Sequence, residues 1–238
     1  MTLASFIEQL FNGIQYGMAL FLVSSGLTLI FGIMNFINLA HGSQVMIGAY
    51  LSTYFAIIFN NFFIGILVAI PITFVVGYFI EILIVQYLYK RDHLEQVLVS
   101  FGLILFFNEL TVIIFGTSPL YSDIPEFLAG QIIFSEHLSI PIYRLFLILI
   151  GLLFAIFVYI LINKSRIGMY IRAGASDSIM VSAMGINIKI LFRFIFSVGS
   201  VLAGIAGMML APLNSVEPSM GDSFLILSLV VIIIGGIG

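Results

Sequence analysis

Seven apolar runs, separated by short polar breaks, constrain this 238-residue chain more than any other feature. They lie near 11–31, 43–59, 62–88, 96–116, 142–162, 190–211 and 223–238. A membrane-spanning helix needs roughly 20 apolar residues, and a barrel strand about half that. These runs are too long for barrel strands and show no period-two alternation, so each reads as a helix. The expected fold is all-α: a polytopic transmembrane helix bundle forming one domain over 1–238. Charged residues make up only 8% of the chain, too few to coat a soluble globule of this size. A soluble enzyme, a nucleic-acid binder and a disordered regulator are excluded on that ground. No basic stripe is present to hold nucleic acid. Cysteine is absent, and the three histidines are not spaced as metal ligands. Met1 to Gln9 carries no Lys or Arg, so the first run reads as a retained span rather than a cleaved signal.

The charges orient the spans. Lys90 and Arg91 share one short loop, and Lys164, Arg166, Arg172 and Lys189 share another, with Arg193 just beyond it. The stretch 117–141 has Asp123, Glu126 and Glu136 but no Lys or Arg, and 212–222 has Glu217 and Asp222. The basic loops are therefore expected in the cytoplasm and the acidic ones outside. Arg144 snorkels at an external end. Counting spans backwards puts Asn60–Asn61 outside, Gly42 toward the cytoplasm and the N-terminus outside. Packing is legible in small residues at every fourth position: Gly199, Ala203, Gly207 and Ala211, then Gly48, Ser52 and Ala56, and Gly13 with Gly17. Such spacing lets helix backbones approach closely in lipid.

Three places depart from plain spans. Asn35-Phe-Ile-Asn-Leu-Ala-His-Gly42 interrupts the apolar pattern with Asn35, Asn38, His41 and Gly42. It reads either as a broken or re-entrant helix, a conformation tolerated at membrane depth only inside protein or a wet cavity, or as a turn whose Asn side chains cap helix ends. Those four residues are the candidate translocation path. Glu81 and Glu109 lie inside spans; each is either a proton relay or substrate contact, or a hydrogen-bonded carboxylate buried between helices, the second being the expectation. Asn108 is a candidate partner for Glu109. The loop 163–189 should contain a short helix over 176–184. Asp177 or Ser176 caps its start, and Ile179, Met180, Ala183 and Met184 share one face. Gly185 takes the left-handed position that ends it. Such a helix either lies on the membrane or docks into a groove on a partner protein.

No GxxxxGK[ST] phosphate loop, GxSxG or HExxH occurs, so an enzyme reading has only Glu81 and Glu109 to stand on.

The order of these features resembles a known family. "NGIQYGMALFLVSSGLTLIFGIMNFINLAHGSQVMIGAY" (Asn12–Tyr50) is similar to the N-terminal signature of bacterial branched-chain amino acid ABC transporter permeases. "SRIGMYIRAGASDSIMVSAMGINI" (Ser165–Ile188) is similar to that family's cytoplasmic segment, and "AGIAGMMLAP" and "IIIGGIG" match as well.

The resemblance implies one of two permease subunits of an importer in the bacterial plasma membrane. Two cytoplasmic ATPase subunits would drive it, and an external binding protein would deliver leucine, isoleucine, valine or a similar amino acid. No cofactor is implied. Arg172 to Asn187 would be the coupling stretch, with Arg172, Asp177, Ile179, Met180, Met184, Gly185 and Asn187 meeting the ATPase. Relatives continue beyond the GGIG motif whereas this chain stops at Gly238, so the resemblance implies a C-terminally incomplete chain or a short variant. Three other readings stay open: a urea or amide permease of the same family, a proton-coupled secondary carrier using Glu81 or Glu109, and a passive channel for a small neutral solute with Asn-lined constrictions.

Overall fold

The structure is a computed structural model. It describes residues 3–135 and 138–236. Glu136 and the last two residues of IIIGGIG lie outside the described residues.

The order of elements is α1 (Leu3–Met34), α2 (His41–Phe59), α3 (Phe62–Leu83), α4 (His93–Phe115), β1 (Gln131–Ser135), β2 (Leu138–Pro141), α5 (Ile142–Asn163), α6 (Arg166–Ser176), α7 (Ser178–Ala183), α8 (Ile188–Leu210) and α9 (Met220–Gly235). Among the described residues six helices are long and apolar enough to cross a membrane. The seventh expected span is α9, which has 16 residues and is shorter than that class. The other runs begin and end within a few residues of their expected limits, except that α1 continues several residues beyond both. Two elements have no counterpart in the sequence expectation: the antiparallel β1–β2 ribbon and α6.

Helix α8 is the axis of the bundle. It is the most buried of the spans, and α1, α2 and α3 all pack on it. Its small residues permit this, but they divide among different neighbours. Gly199 faces Gly26 and Ile30 of α1, and Gly204 faces Thr73 of α3. A Cβ on Gly207 would overlap the Val45 carbonyl oxygen of α2, and one on Gly48 would overlap the Gly204 backbone. Gly65 of α3 packs in the same way on Ser52 and Ala56. Gly13 and Gly17 differ: space is open around both, and they pack on nothing among the described residues. Tyr143 at the start of α5 is buried and donates to the Met209 carbonyl at 2.8 Å, fixing α5 to the far end of α8.

The two ends of the bundle sort by charge. The Lys90–Arg91 loop and the start of α8 meet, with Tyr89 against Phe192 at 5.2 Å between ring centroids. At the opposite end Leu120 and Val216 bridge the two acidic stretches. Phe63, beside Asn60–Asn61, stacks on Phe127 at that same end. The Glu8 carboxylate accepts from the Ser139 N–H there at 3.4 Å. The basic loops thus share one end, and the N-terminus shares the other with the acidic segments. Gly42 breaks the pattern. Span counting assigns it to the basic end, but it packs against Gly221, at the edge of the acidic 212–222 stretch.

Candidate functional site

Between α5 and α8 the chain builds a braced projection. The Ser165 hydroxyl accepts from the Gly168 N–H at 2.9 Å and starts α6. Gly168 lies so close to the end of α5 that a Cβ would overlap the Leu161 and Ile162 carbonyl oxygens. Arg172 donates to that same Ile162 carbonyl, a favourable place for a cation because helix C-termini carry partial negative charge. Asp177 Oδ1 then accepts from the Ile179 and Met180 N–H groups, both at 2.9 Å, and caps α7. Gly185 follows at φ +87°, a conformation that favours glycine. Asn187 Oδ1 accepts from Lys189 and Ile190 at 3.1 and 3.3 Å and caps α8. The helix expected over 176–184 is α7, and a second helix, α6, precedes it without a counterpart in the sequence expectation. Ser176 closes α6, and α7 runs only from Ser178 to Ala183.

The outward face of this projection is apolar. Val181 turns inward, whereas Ile179, Met180 and Met184 are 82%, 62% and 73% exposed. Ala183 is exposed beside them. Of the seven residues expected in this stretch, Ile179, Met180 and Met184 offer contact surface. Arg172, Asp177, Gly185 and Asn187 also lie exposed, and their interactions fix the shape of the turn. Replacing Asp177 by Ala removes the cap of α7 and costs about 1 kcal/mol of local helix stability, which amide exchange of Ile179 and Met180 would report.

Behind the projection is a polar cluster that sequence reasoning left unassembled. Arg193 Nε of α8 pairs with Glu81 Oε2 of α3 at 3.3 Å, and the Glu81 side chain is 1% exposed. The Tyr89 hydroxyl donates to Glu81 Oε1 at 2.6 Å, and an Arg193 terminal nitrogen donates to Gln86 Oε1 at 3.2 Å. Burial first, and Glu81 second, hold the Tyr89 hydroxyl above its usual range, so it remains a proton donor to the carboxylate. Glu81 is a buried carboxylate of α3 paired with an Arg in the second turn of α8. Arg193→Met would strand a buried carboxylate at a cost of roughly 3–5 kcal/mol. The Glu81→Gln, Arg193→Met double variant is expected to unfold later in a thermal melt than Arg193→Met alone.

The break after α1 is the second assembled region. Asn35 follows α1 at φ 48° and is exposed. Residues 35–40 are not helical, and the chain runs back along α1 until His41 Nε2 donates to the Val23 carbonyl at 3.1 Å. Val23 precedes Met34 by about 16 Å of helix rise. Gly26 gives the His41 ring its room. Asn38, His41 and Gly42 are all buried; Asn35 is the exception. The first turn of α2 has no side-chain cap. Among the described residues Asn38 Nδ2 and Ser43 Oγ are buried without a hydrogen-bond partner, and the Gln44 amide lies beside the His41 ring. Gln96, which no sequence motif marks, ties this break to the basic loop. It accepts from the Ile37 N–H at 3.2 Å and donates to the Leu88 and Arg91 carbonyls at 3.2 and 3.1 Å. Its carboxamide can be recognised as a latch only once α4 is placed against both segments.

Glu109 corrects an expectation. It is not buried between helices but exposed on α4, because the face of α4 that packs on the bundle carries Gln96, Ser100, Leu103, Phe107 and Thr111 instead. Asn108 does not pair with it; the Asn108 amide interacts with the Asp222 carboxylate.

The chain is similar in sequence to several known proteins. LivH of Salmonella typhimurium, a high-affinity branched-chain amino acid transport system permease protein, is 29% identical over 98% of this chain and 80% of its own length. BraD of Pseudomonas aeruginosa, described in the same words, is 27% identical over 98% and 80%. A probable LivH of Methanocaldococcus jannaschii is 27% identical over 95% and 73%. No solved structure matches the chain significantly. The family described as "Branched-chain amino acid transport system / permease component" matches residues 9–238. With that match over its six long apolar helices, the chain is a multi-pass inner-membrane protein and belongs to the branched-chain amino acid transport permease family.

Proposed function

We propose that this protein is a permease subunit of an ATP-driven importer, carrying branched-chain or similar hydrophobic amino acids into the cytoplasm. Two separate cytoplasmic ATPase subunits hydrolyse the nucleotide, a second permease subunit completes the path, and an external binding protein supplies substrate. The observation that carries this reading is the apolar knob of α7, held rigidly between α5 and α8 at the end that bears the basic loops. A rigid-body shift of a docked ATPase would move α7, and through it the ends of α5 and α8. The ATPase biases the permease toward one state only as far as it grips α7 differently in the two.

The path itself is proposed to include Asn38, His41 and Gly42, with Asn35 at its inner edge. Gly42 meets Gly221 although span counting assigns Gly42 to the basic end and Gly221 belongs to an acidic stretch at the other. A start of α2 at membrane depth reconciles that contact, and it supports the broken-helix reading over the simple turn. The proton-carrier alternative gains no support from Glu81, which is held by Arg193 and Tyr89.

Reconstitution with the ATPases, binding protein and second permease tests the proposal. Leucine, isoleucine or valine should accumulate only with ATP and should persist with an uncoupler present. Uptake that collapses with the uncoupler and survives ATP depletion would contradict it. Urea in place of amino acids would overturn the substrate class alone.

A further inference from the structure

The turn that joins α3 to α4 is held from two sides. On one side it belongs to the cluster behind the projection. Tyr89 packs on Phe192 and donates to Glu81, which pairs with Arg193. Phe192 and Arg193 lie in the first two turns of α8, directly after the Asn187 cap that ends the projection. On the other side the turn is held by one side chain. Gln96 Nε2 donates to the Leu88 and Arg91 carbonyls, which lie on either side of Tyr89 in sequence. Gln96 Oε1 accepts from the Ile37 N–H, and His93 Nδ1 lies 3.2 Å from the same oxygen. These partners fix which end of the carboxamide is which: carbonyls can face only its nitrogen, and the Ile37 N–H only its oxygen. Gln96 is 2% exposed. Among the described residues no other hydrogen bond ties the backbone of 36–40 to a helix beyond α1 and α2. That segment is not helical, so its backbone can follow a small displacement that a helix would resist.

We infer that Gln96 is a positioning residue that passes the ATPase-driven shift of the projection to the break after α1, and so to Asn38 and His41 of the path. The inference rests on the importer reading and on that placement of the path. A shift of α7 moves the start of α8. Phe192 and Arg193 carry it to Tyr89 and Glu81, the backbone around Tyr89 carries it to Gln96, and Gln96 draws on Ile37. The carboxamide suits this place by its chemistry. Glu would set an oxygen against two carbonyl oxygens, and Met offers no donor.

The test uses the assembled importer in sealed vesicles and measures ATP hydrolysed per amino acid imported. Gln96→Met should lower uptake about tenfold, within the usual range of coupling between sites, while ATPase binding and hydrolysis stay near the parent's. Gln96→Glu keeps the acceptor for Ile37 and loses both donors to the turn, so it should uncouple in the same way. Tyr89→Phe keeps the ring on Phe192 and loses the bond to Glu81, so a smaller loss of uptake at the same hydrolysis is expected. Because the steps lie in series, adding Tyr89→Phe to Gln96→Met should lower uptake no further. A role in the fold alone predicts the opposite: uptake and hydrolysis would fall together with the amount of folded complex, and the double variant would be worse than either single one. That result, or parent-like uptake per ATP in either Gln96 variant, would overturn the inference. Should Gln96→Met fail to insert, Gln96→Glu decides on the same readout. A parent complex that imports without ATP would sink the importer reading itself, whatever the variants do.

Discussion

Replacing Ile179 and Met180 together by Asp should abolish ATP-driven uptake while leaving the protein inserted and folded. Both side chains are largely exposed, so neither contributes to the core of this chain. The Asp177 cap, the Gly185 turn and the Asn187 cap do not depend on them, so the projection should keep its shape. What changes is the surface offered to the ATPase. Apolar anchors at the centre of an interface commonly contribute about 2 kcal/mol or more each. Losing two such anchors, and placing charges in an apolar groove, would weaken docking about a thousandfold. Co-purification of the ATPase and substrate uptake should fall together, with unchanged yield of the permease in the membrane. ATPase binding at the original affinity would remove α7 from the mechanism.

The second large effect concerns the fold. Gly207→Leu should prevent α2 from seating on α8, because even a Cβ at 207 overlaps the Val45 carbonyl oxygen. A backbone carbonyl of a buried helix cannot rotate aside as a flexible side chain can. The expected loss is about 3 kcal/mol or more, the upper end of overpacking costs. Gly13→Leu is the matched control: the chemistry is the same, but the site has open space around it. A thermal or denaturant unfolding series in detergent should show Gly207→Leu far below the parent and Gly13→Leu near it. Equal stability of the two variants would mean that α2 and α8 do not approach as described.

The spans are legible in the sequence because hydrocarbon thickness imposes a length and a composition on every helix that crosses it. The cap and the stop of α7 are legible for a local reason: Asp177 and Gly185 act on backbone within three residues of themselves. The environment of Glu109 is not legible in the same way. Helix α4 is apolar nearly all round, so its sequence carries no stripe that tells the packed face from the exposed one. The Glu81–Arg193 pair joins residues 112 positions apart, and Gln96 reaches a segment 59 positions away. Neither distance leaves a trace in local spacing. Helix α6 is hidden for another reason: Gly168 and Gly174 lower its intrinsic helix propensity, and its packing on α5 compensates.

Sided labelling at α7 tests the central claim most directly. With Met180→Cys in sealed, right-side-out vesicles, an impermeant maleimide should react only after the cytoplasmic face is opened, and bound ATPase should block that reaction. Labelling from outside in intact vesicles, or labelling that the ATPase does not diminish, would contradict the account.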